Sequence, residues 1–320
     1  SGEVLALANL PAYNPNNRDK AASSRTRNRA LTDVFEPGST LKPFTAAAAL
    51  ETGRFKPETV LHTAPGSLTI GSATIRDAHP LGTLTVAQVI QKSSNVGAAK
   101  MALALSAETL WNVLHRVGFG SASGSGFPGE VGGRLRPYKS WRPIEQATMS
   151  YGHGISVTLL QLARAYTVFA TDGELKPVTL VRRDAPLAGE QVIAQNTARI
   201  LRGMLEMVVQ PGGTAPRAQV TGYRVAGKTG TAHKLEGHNY AANRYVSSFV
   251  GFAPASDPRL VVAVMIDEPG AGQYYGGAVA APVFAQVTAG ALRMLGVPTD
   301  APLADIVLPP AGAAEVKEEV

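Results

Sequence analysis

The period of the apolar residues changes along the chain, and this change limits the possible folds more than any other feature. Leu110, Val113, Leu114 and Val117 recur at helical spacing, and so do Leu159, Leu162, Ala163, Tyr166 and Phe169. Ile200, Leu201, Met204, Leu205 and Val208 repeat it once more. Strand-length apolar runs then take over, with residues 223–225 ahead of Gly227 and residues 245–252 and 260–266 separated by the turn signal Pro254-Ala255-Ser256-Asp257-Pro258. A last helix is expected over residues 279–295, with Val283, Phe284, Val287 and Ala291 on one stripe. At the other end, residues 4–8 (VLALA), bounded by Gly2, Asn9 and Pro11, have the length of a buried strand. The layout predicts an α+β fold: an antiparallel sheet from the N- and C-terminal segments, flanking helices, and an inserted helical lobe. A cleft is expected where lobe meets sheet.

The expected division is a sheet lobe over about residues 1–35 and 215–297, a helical lobe over about 36–214, and a flexible tail over 298–320. A chain of 320 residues is long enough for such a core. Residues 121–143, rich in Gly, Ser, Arg and Pro, read as a long surface loop. Phe35-Glu36-Pro37-Gly38 marks a turn, after which an alanine-rich helix runs to Leu50; a start near Thr40 leaves Pro43 in the first turn, where it is tolerated.

Several classes are disfavoured by what the chain contains. There is no cysteine, so disulfides and cysteine–zinc sites are out. The net charge of +6 is a modest excess, and the densest basic stretch, residues 18–29, has no interleaved aromatics, so no nucleic-acid partner is expected. No run of about 18 apolar residues occurs, and no signal peptide opens the chain. The abrupt start at Ser1-Gly2-Glu3 reads as a piece of a longer protein whose anchor lies upstream. The histidines His62, His79, His115, His153, His233 and His238 do not pair at a metal-ligand spacing, so no metal is expected; Gly71 to Gly82 shows no phosphate-loop pattern, and no cofactor is expected.

Three short signals carry chemistry. In Ser39-Thr40-Leu41-Lys42 the hydroxyl and the amine are three apart and share one face of a helix. Serine is a weak nucleophile until a base takes its proton, and a lysine serves only if its charged form is disfavoured by burial or a second cation. Taken alone, the pattern fits a capping serine and a solvated lysine equally well. Ser93-Ser94-Asn95 places a hydroxyl and an amide two positions apart between helical stretches; alone it is a polar interruption. Lys228-Thr229-Gly230-Thr231 follows a strand-like run, with alternate residues on opposite faces and a glycine that permits close approach; alone it is a strand ending in a turn.

Together, and in this order, Ser39-x-x-Lys42, Ser93-x-Asn95 and Lys228-Thr229-Gly230 resemble the penicillin-binding proteins and serine β-lactamases. The surroundings of these motifs, Phe35 to Phe44, Gln91 to Gly97 and Ala226 to Ala232, are similar to class B transpeptidases. Tyr13-Asn14-Pro15-Asn16-Asn17-Arg18, Tyr151-Gly152-His153-Gly154-Ile155-Ser156-Val157-Thr158 and Tyr274-Tyr275-Gly276-Gly277 resemble the division-specific, penicillin-binding protein 3 branch. Ser94 stands where class A β-lactamases usually carry Asp, which favours the transpeptidase side.

The resemblance implies a serine-type D,D-transpeptidase that cross-links peptidoglycan stem peptides in septal cell-wall synthesis and is inhibited covalently by β-lactam antibiotics. It implies catalytic roles for Ser39 as nucleophile, Lys42 as base, Ser93 as proton relay, Asn95 as holder of the substrate amide, and Lys228 as a source of positive potential. Thr229, Gly230 and Thr231 would bind substrate, and the backbone N–H groups of Ser39 and Thr231 would form the oxyanion hole. The implied partners are divisome proteins, including a glycan-polymerising membrane partner. The implied location is the periplasmic face of the bacterial inner membrane. In this family a strand precedes the Gly-Glu-Val-Leu-Ala segment, so residues 4–8 are expected beside a vacated strand position or re-paired elsewhere. The rivals are a D,D-carboxypeptidase or serine β-lactamase on the same scaffold, and a β-lactam sensor domain that acylates without turnover. Glu108 and Asn112 imitate a deacylation signature, but they sit beside the apolar stripe of a helix and read as solvated surface. No Gly-x-Ser-x-Gly elbow is present.

Overall fold

The computed structural model describes residues 1–17, 25–237, 239–270, 272–303 and 306–308. Most of the expected tail beyond 308, the basic residues 18–24 and His238 lie outside the described residues.

A four-residue helix α1 (Arg29–Thr32) precedes a 3-10 turn (Gly38–Leu41) that runs directly into α2 (Lys42–Glu51). Every residue of α2 from Lys42 to Ala49 is buried, so α2 is the central helix of the helical part. Phe44 on α2 meets the rings of Phe119, Tyr166 and Phe169 at centroid distances of 5.5, 5.5 and 4.9 Å. Two small hairpins follow, β1 (Val60–His62) with β4 (Thr83–Thr85) and, nested between them, β2 (Ser67–Ile70) with β3 (Ala73–Arg76). Next come α3 (Val86–Lys92), α4 (Asn95–Leu103), α5 (Ala107–Arg116), α6 (Pro143–Met149) and α7 (Leu159–Ala170). The pair β5 (Glu174–Leu175) and β6 (Glu190–Gln191) precedes α8 (Gln195–Val209). The three helices read from periodicity are α5, α7 and α8; the short pairs β1 to β6 were not read, because two to four residues carry no period.

The main sheet has the order β7-β8-β9, all antiparallel, from β7 (Ala226–Glu236), β8 (Asn239–Ala253) and β9 (Leu260–Asp267). From Val246 to Ala253 the central strand β8 is buried without alternation, as a strand covered on both faces must be. Both α7 and α10 (Ala281–Met294), which follows the short α9 (Gly276–Val279), pack against it. The stripe expected on the last helix is rotated: Ala281, Phe284, Thr288 and Leu292 face the core, while Val283 and Val287 are exposed. The strand expected at residues 223–225 begins later, at Ala226, since Tyr223 makes only an isolated bridge to Val220.

The mixed helix-and-sheet class is as expected, but the N-terminal segment does not join the main sheet. Glu3 makes one parallel bridge to Thr179, the Val4 N–H donates to Thr179 O at 2.9 Å, and Leu5 is exposed. A short apolar run becomes a strand only beside a partner edge. Here the neighbour is an irregular segment at 177–183, anchored by the Arg183 N–H donating to the Glu3 carboxylate at 2.9 Å. Pairing thus ends at Val4, and residues 5–8 lie away from the sheet without a strand partner among the described residues.

Candidate active site

The turn carrying Ser39 is fixed from both sides. Phe35 exchanges two backbone hydrogen bonds with Val157, each 3.0 Å long. Gly38 has φ of +55°, and a Cβ there would lie 3.0 Å from Thr231 O, so β7 presses on the turn. Behind it, a Cβ on Gly152 would lie 2.2 Å from Gly38 O. The Thr40 hydroxyl donates to Pro37 O at 2.7 Å, and the Tyr166 hydroxyl donates to Thr40 O at 2.8 Å. The sequence suggests a helix from about Thr40; instead Ser39 sits in the 3-10 turn and Lys42 begins α2 with Pro43 beside it. In a 3-10 turn positions three apart eclipse each other, which stacks Lys42 over Ser39.

Lys42 is fully buried. Its Nζ donates to Ser39 Oγ at 2.7 Å, to Ser93 Oγ at 3.0 Å and to the Ser93 carbonyl. Ser93 ends α3, itself started by a capping box between Thr85 and Gln88. Its φ of 62° is left-handed, a strained conformation for serine that redirects the chain into α4. Ser94 caps α4, accepting from the Gly97 N–H at 2.9 Å and donating to Asp77 Oδ2 at 2.8 Å. Asp77 Oδ1 accepts the Val96 N–H at 3.0 Å, so one carboxylate from the β3–β4 connection holds the whole turn. Asn95 donates to Arg76 O at 3.2 Å, while its Oδ1 is buried with no hydrogen-bond partner among the described residues. An orphaned buried acceptor is costly, and it marks a place where a ligand N–H would be satisfied.

Lys228, also fully buried, brings β7 to the same point. Its Nζ donates to Ser93 Oγ at 2.9 Å and curls back to Thr229 Oγ1 at 3.0 Å. Thr229 Oγ1 lies 2.8 Å from Thr214 Oγ1, and Thr231 Oγ1 accepts the Gly276 N–H at 3.0 Å. A Cβ on Gly230 would meet Pro37 O at 2.7 Å and Thr40 Cγ2 at 2.9 Å, so the close approach this glycine permits is that of the chain's own Ser39 turn.

A polar and aromatic rim surrounds these groups. Glu36 is buried and accepts the Gly154 N–H at 2.8 Å and the Tyr240 hydroxyl at 3.0 Å. Burial pushes its carboxyl up from the ordinary range despite both bonds. His153 is pushed down to about 4, first by burial, then by the nearby Lys42 and His233. The hydroxyls of Tyr151 and Tyr240 are both pushed up, chiefly by burial and then by Glu36. Tyr245 stacks on Tyr274 with centroids 4.0 Å apart.

The structure thus gathers Ser39, Lys42, Ser93 and Lys228 into one hydrogen-bonded cluster, with Thr229 joined through Lys228, Gly230 against the turn, and Thr231 behind Gly38. Asn95 stands beside Ser93 on the following helix. Sequence reading missed Asp77 and Thr214 as supports, ordinary polar residues in irregular segments with no local pattern to single them out, and it read Tyr166 only as part of an apolar helical stripe. It also read past Glu36 as part of a turn. Among the described residues no group of His, Asp and Glu could hold a metal ion. Glu108 is exposed on α5, where it accepts the Tyr138 hydroxyl at 2.9 Å.

The family described as "Penicillin binding protein transpeptidase domain" matches residues 1–289. A relative from Neisseria flavescens named "Probable peptidoglycan D,D-transpeptidase PenA" is 48% identical over 305 residues, covering 95% of this chain and 76% of its own length. "Peptidoglycan D,D-transpeptidase FtsI" from Escherichia coli K12 is 43% identical over 301 residues, and the match spans 94% of this chain but only 51% of that protein. The solved structure described as "Apo structure of TP domain from Burkholderia pseudomallei penicillin-binding protein 3" superposes with a TM-score of 0.83 at 53% identity, covering 86% of this chain and 84% of that one.

Proposed function

This chain belongs to the penicillin-binding protein transpeptidase family, and from that premise we propose that it is a peptidoglycan D,D-transpeptidase working through a Ser39 acyl-enzyme. The observation that carries this reading is the contact of Lys42 Nζ with Ser39 Oγ at 2.7 Å inside a buried site. Burial and a second amine, that of Lys228, both disfavour a charge on Lys42. A neutral amine keeps two N–H groups for the hydroxyl and carbonyl of Ser93 and turns its lone pair to the Ser39 hydroxyl.

In the proposed reaction the Ser39 proton passes to Lys42 as Oγ attacks the carbonyl carbon of the penultimate D-Ala of a stem peptide. The oxyanion is received by the backbone N–H groups of Ser39 and Thr231, whose chain segments are pressed together at Gly38. When the C–N bond breaks, the leaving D-Ala nitrogen takes the Ser93 proton, and Lys42 restores it. The amine of a second stem peptide then attacks the ester; its proton returns along the same path and Ser39 regains its hydroxyl. Asn95 holds the substrate amide, and Lys228, Thr229 and Thr231 receive the terminal carboxylate or its β-lactam mimic, with Gly230 letting β7 lie against the turn.

We further propose a septal role beside divisome partners, including a glycan-polymerising one, at the periplasmic face of the inner membrane. The similarity to proteins named FtsI and to a penicillin-binding protein 3 supports this. No helix among the described residues is long and apolar enough to cross a membrane, so in this reading the anchor lies outside them. The lobes proposed are a sheet part over about 215–297 and a helical part over about 36–214; residues 1–35, expected with the sheet, bridge instead to Thr179 and Val157 of the helical part.

The test is incubation with a fluorescent penicillin, read by intact mass. Wild type should gain one penicilloyl group, and Ser39→Ala none while keeping its fold. Lys42→Ala should slow acylation by about 10²–10⁴-fold, the usual contribution of a general base. Labelling that persists in Ser39→Ala would refute the assignment.

A further inference from the structure

Glu36 lies three positions before Ser39 and is only 8% exposed. No lysine or arginine forms an ion pair with it among the described residues. A buried carboxyl without a cation is tolerated only if hydrogen bonds satisfy it. Its two bonds run to two different parts of the chain. Oε1 accepts the Gly154 N–H, from the loop that presses Gly152 on Gly38. Oε2 accepts the hydroxyl of Tyr240, near the outer end of the β7–β8 hairpin, beyond the register shift between His233 and Leu235. There β8 is largely exposed, and the Tyr240 ring faces His153 and His233 at centroid distances of 6.0 and 6.4 Å.

The nucleophile turn therefore lies between two surfaces. Loop 151–154 touches it through Gly152, and β7 touches it through Gly230 and Thr231. Glu36 is bonded to both: directly to the loop, and through Tyr240 to the hairpin of which β7 is one arm. We propose that Glu36 is a positioning residue for acylation, whose carboxyl draws the loop and the hairpin onto the turn and so sets Ser39 Oγ against the β7 backbone. This inference rests on the acyl-transfer reading of the site. It adds to that reading a residue that touches neither substrate nor nucleophile.

The test measures acylation by a chromogenic β-lactam, separating the non-covalent affinity from the acylation rate constant, in wild type, Glu36→Ala, Glu36→Gln, Tyr240→Phe and the Glu36→Ala/Tyr240→Phe pair. Misplacing a reacting group by about 1 Å costs about 10²-fold, so Glu36→Ala should lose roughly that in rate constant and Tyr240→Phe about tenfold, with affinity nearly unchanged. Glu36→Gln should recover most of the loss, because its carbonyl oxygen can accept from Gly154 and its amide can donate to Tyr240. The double variant should be no slower than Glu36→Ala. In Glu36→Ala the amides of residue 154 and of residues 233–237 and 239–241 should exchange hydrogen faster.

A Tyr240→Phe variant with the wild-type rate constant would overturn the proposal, even if Glu36→Ala failed to fold, since that change removes only a hydroxyl from a half-exposed ring. So would a loss confined to thermal stability or to affinity. If wild type itself is not acylated, the acyl-transfer reading falls; the exchange measurement then still decides whether Glu36 holds both segments, and unchanged exchange at both would overturn that too.

Discussion

Lys228 Nζ stands 2.9 Å from Ser93 Oγ, a contact that spans 135 positions of sequence. Lys42 Nζ lies 3.0 Å from the same oxygen. A serine hydroxyl has two lone pairs and one proton. With both lone pairs engaged by amines, the proton is left to point into the cleft. Ser93→Ala should therefore slow acylation by about 10²–10⁴-fold, measured by stopped-flow labelling with a penicillin. A rate within tenfold of wild type would remove Ser93 from the proton path.

Gly152→Ala should be severe. Its φ is +91°, and the added Cβ would lie 2.2 Å from Gly38 O and 2.5 Å from Gly38 N, backbone that cannot swing aside. The left-handed conformation alone costs about 1–3 kcal/mol. Gly53→Ala is the control, because Gly53 also has a positive φ, +70°, but has nothing within 4 Å of the added atom. Denaturant unfolding of both should show the larger loss at Gly152, and only Gly152→Ala should slow acylation.

His153 predicts an acid-sensitive fold. Its folded pKa of about 4 lies below the ordinary 6.5, so between those values the unfolded chain binds a proton that the folded chain refuses. Stability should be fully present above about pH 6.5 and fall as pH drops toward 4, by up to about 3 kcal/mol. Glu36, whose carboxyl is raised, acts in the opposite sense and eases as pH falls. The difference between wild type and His153→Phe across pH 7 to about 4 isolates the histidine. A difference that does not change with pH would show that His153 titrates normally.

The acyl-enzyme should be long-lived. Glu108 is exposed on α5 and bonded to Tyr138, so it is not placed to activate water at Ser39. A time course of intact mass should show the penicilloyl group persisting for many minutes, with Glu108→Gln indistinguishable from wild type. Fast release that vanishes in Glu108→Gln would make this a hydrolase.

The helices α5, α7 and α8 were legible from their period and β8 and β9 from the length of their apolar runs, whereas β7 was read at 223–225 and begins only at Ala226. The side chains that meet in the cluster, Ser39, Lys42, Ser93 and Lys228, were legible because three short motifs occur in one order. What could not be read depends on tertiary partners. Residues 4–8 have the composition of a strand, but their neighbour is the segment around Thr179 and not a sheet edge. Val283 and Phe284 are adjacent apolar residues, and only packing decides that Phe284 turns inward. Asp77 and Thr214 support motifs far away in sequence, so nothing local marks them. Ser93 was expected at a helix boundary, but its left-handed backbone follows from joining α3 to α4 and has no signature in its residue type.

The closeness of Gly230 to Pro37 and Thr40 also orders events in time. A chain made from its N-terminus completes Ser39, Lys42 and the Ser93 turn long before β7 exists. Helices with local contacts form early, whereas a contact between the nucleophile turn and β7 must wait for distant chain to close. Until then Ser39 has the Lys42 amine beside it, but no β7 wall and no second amine close by. In the proposed reading the power to be acylated is thus withheld until β7 has been made, so a polypeptide arrested after α8 would carry Ser39 without the means to use it.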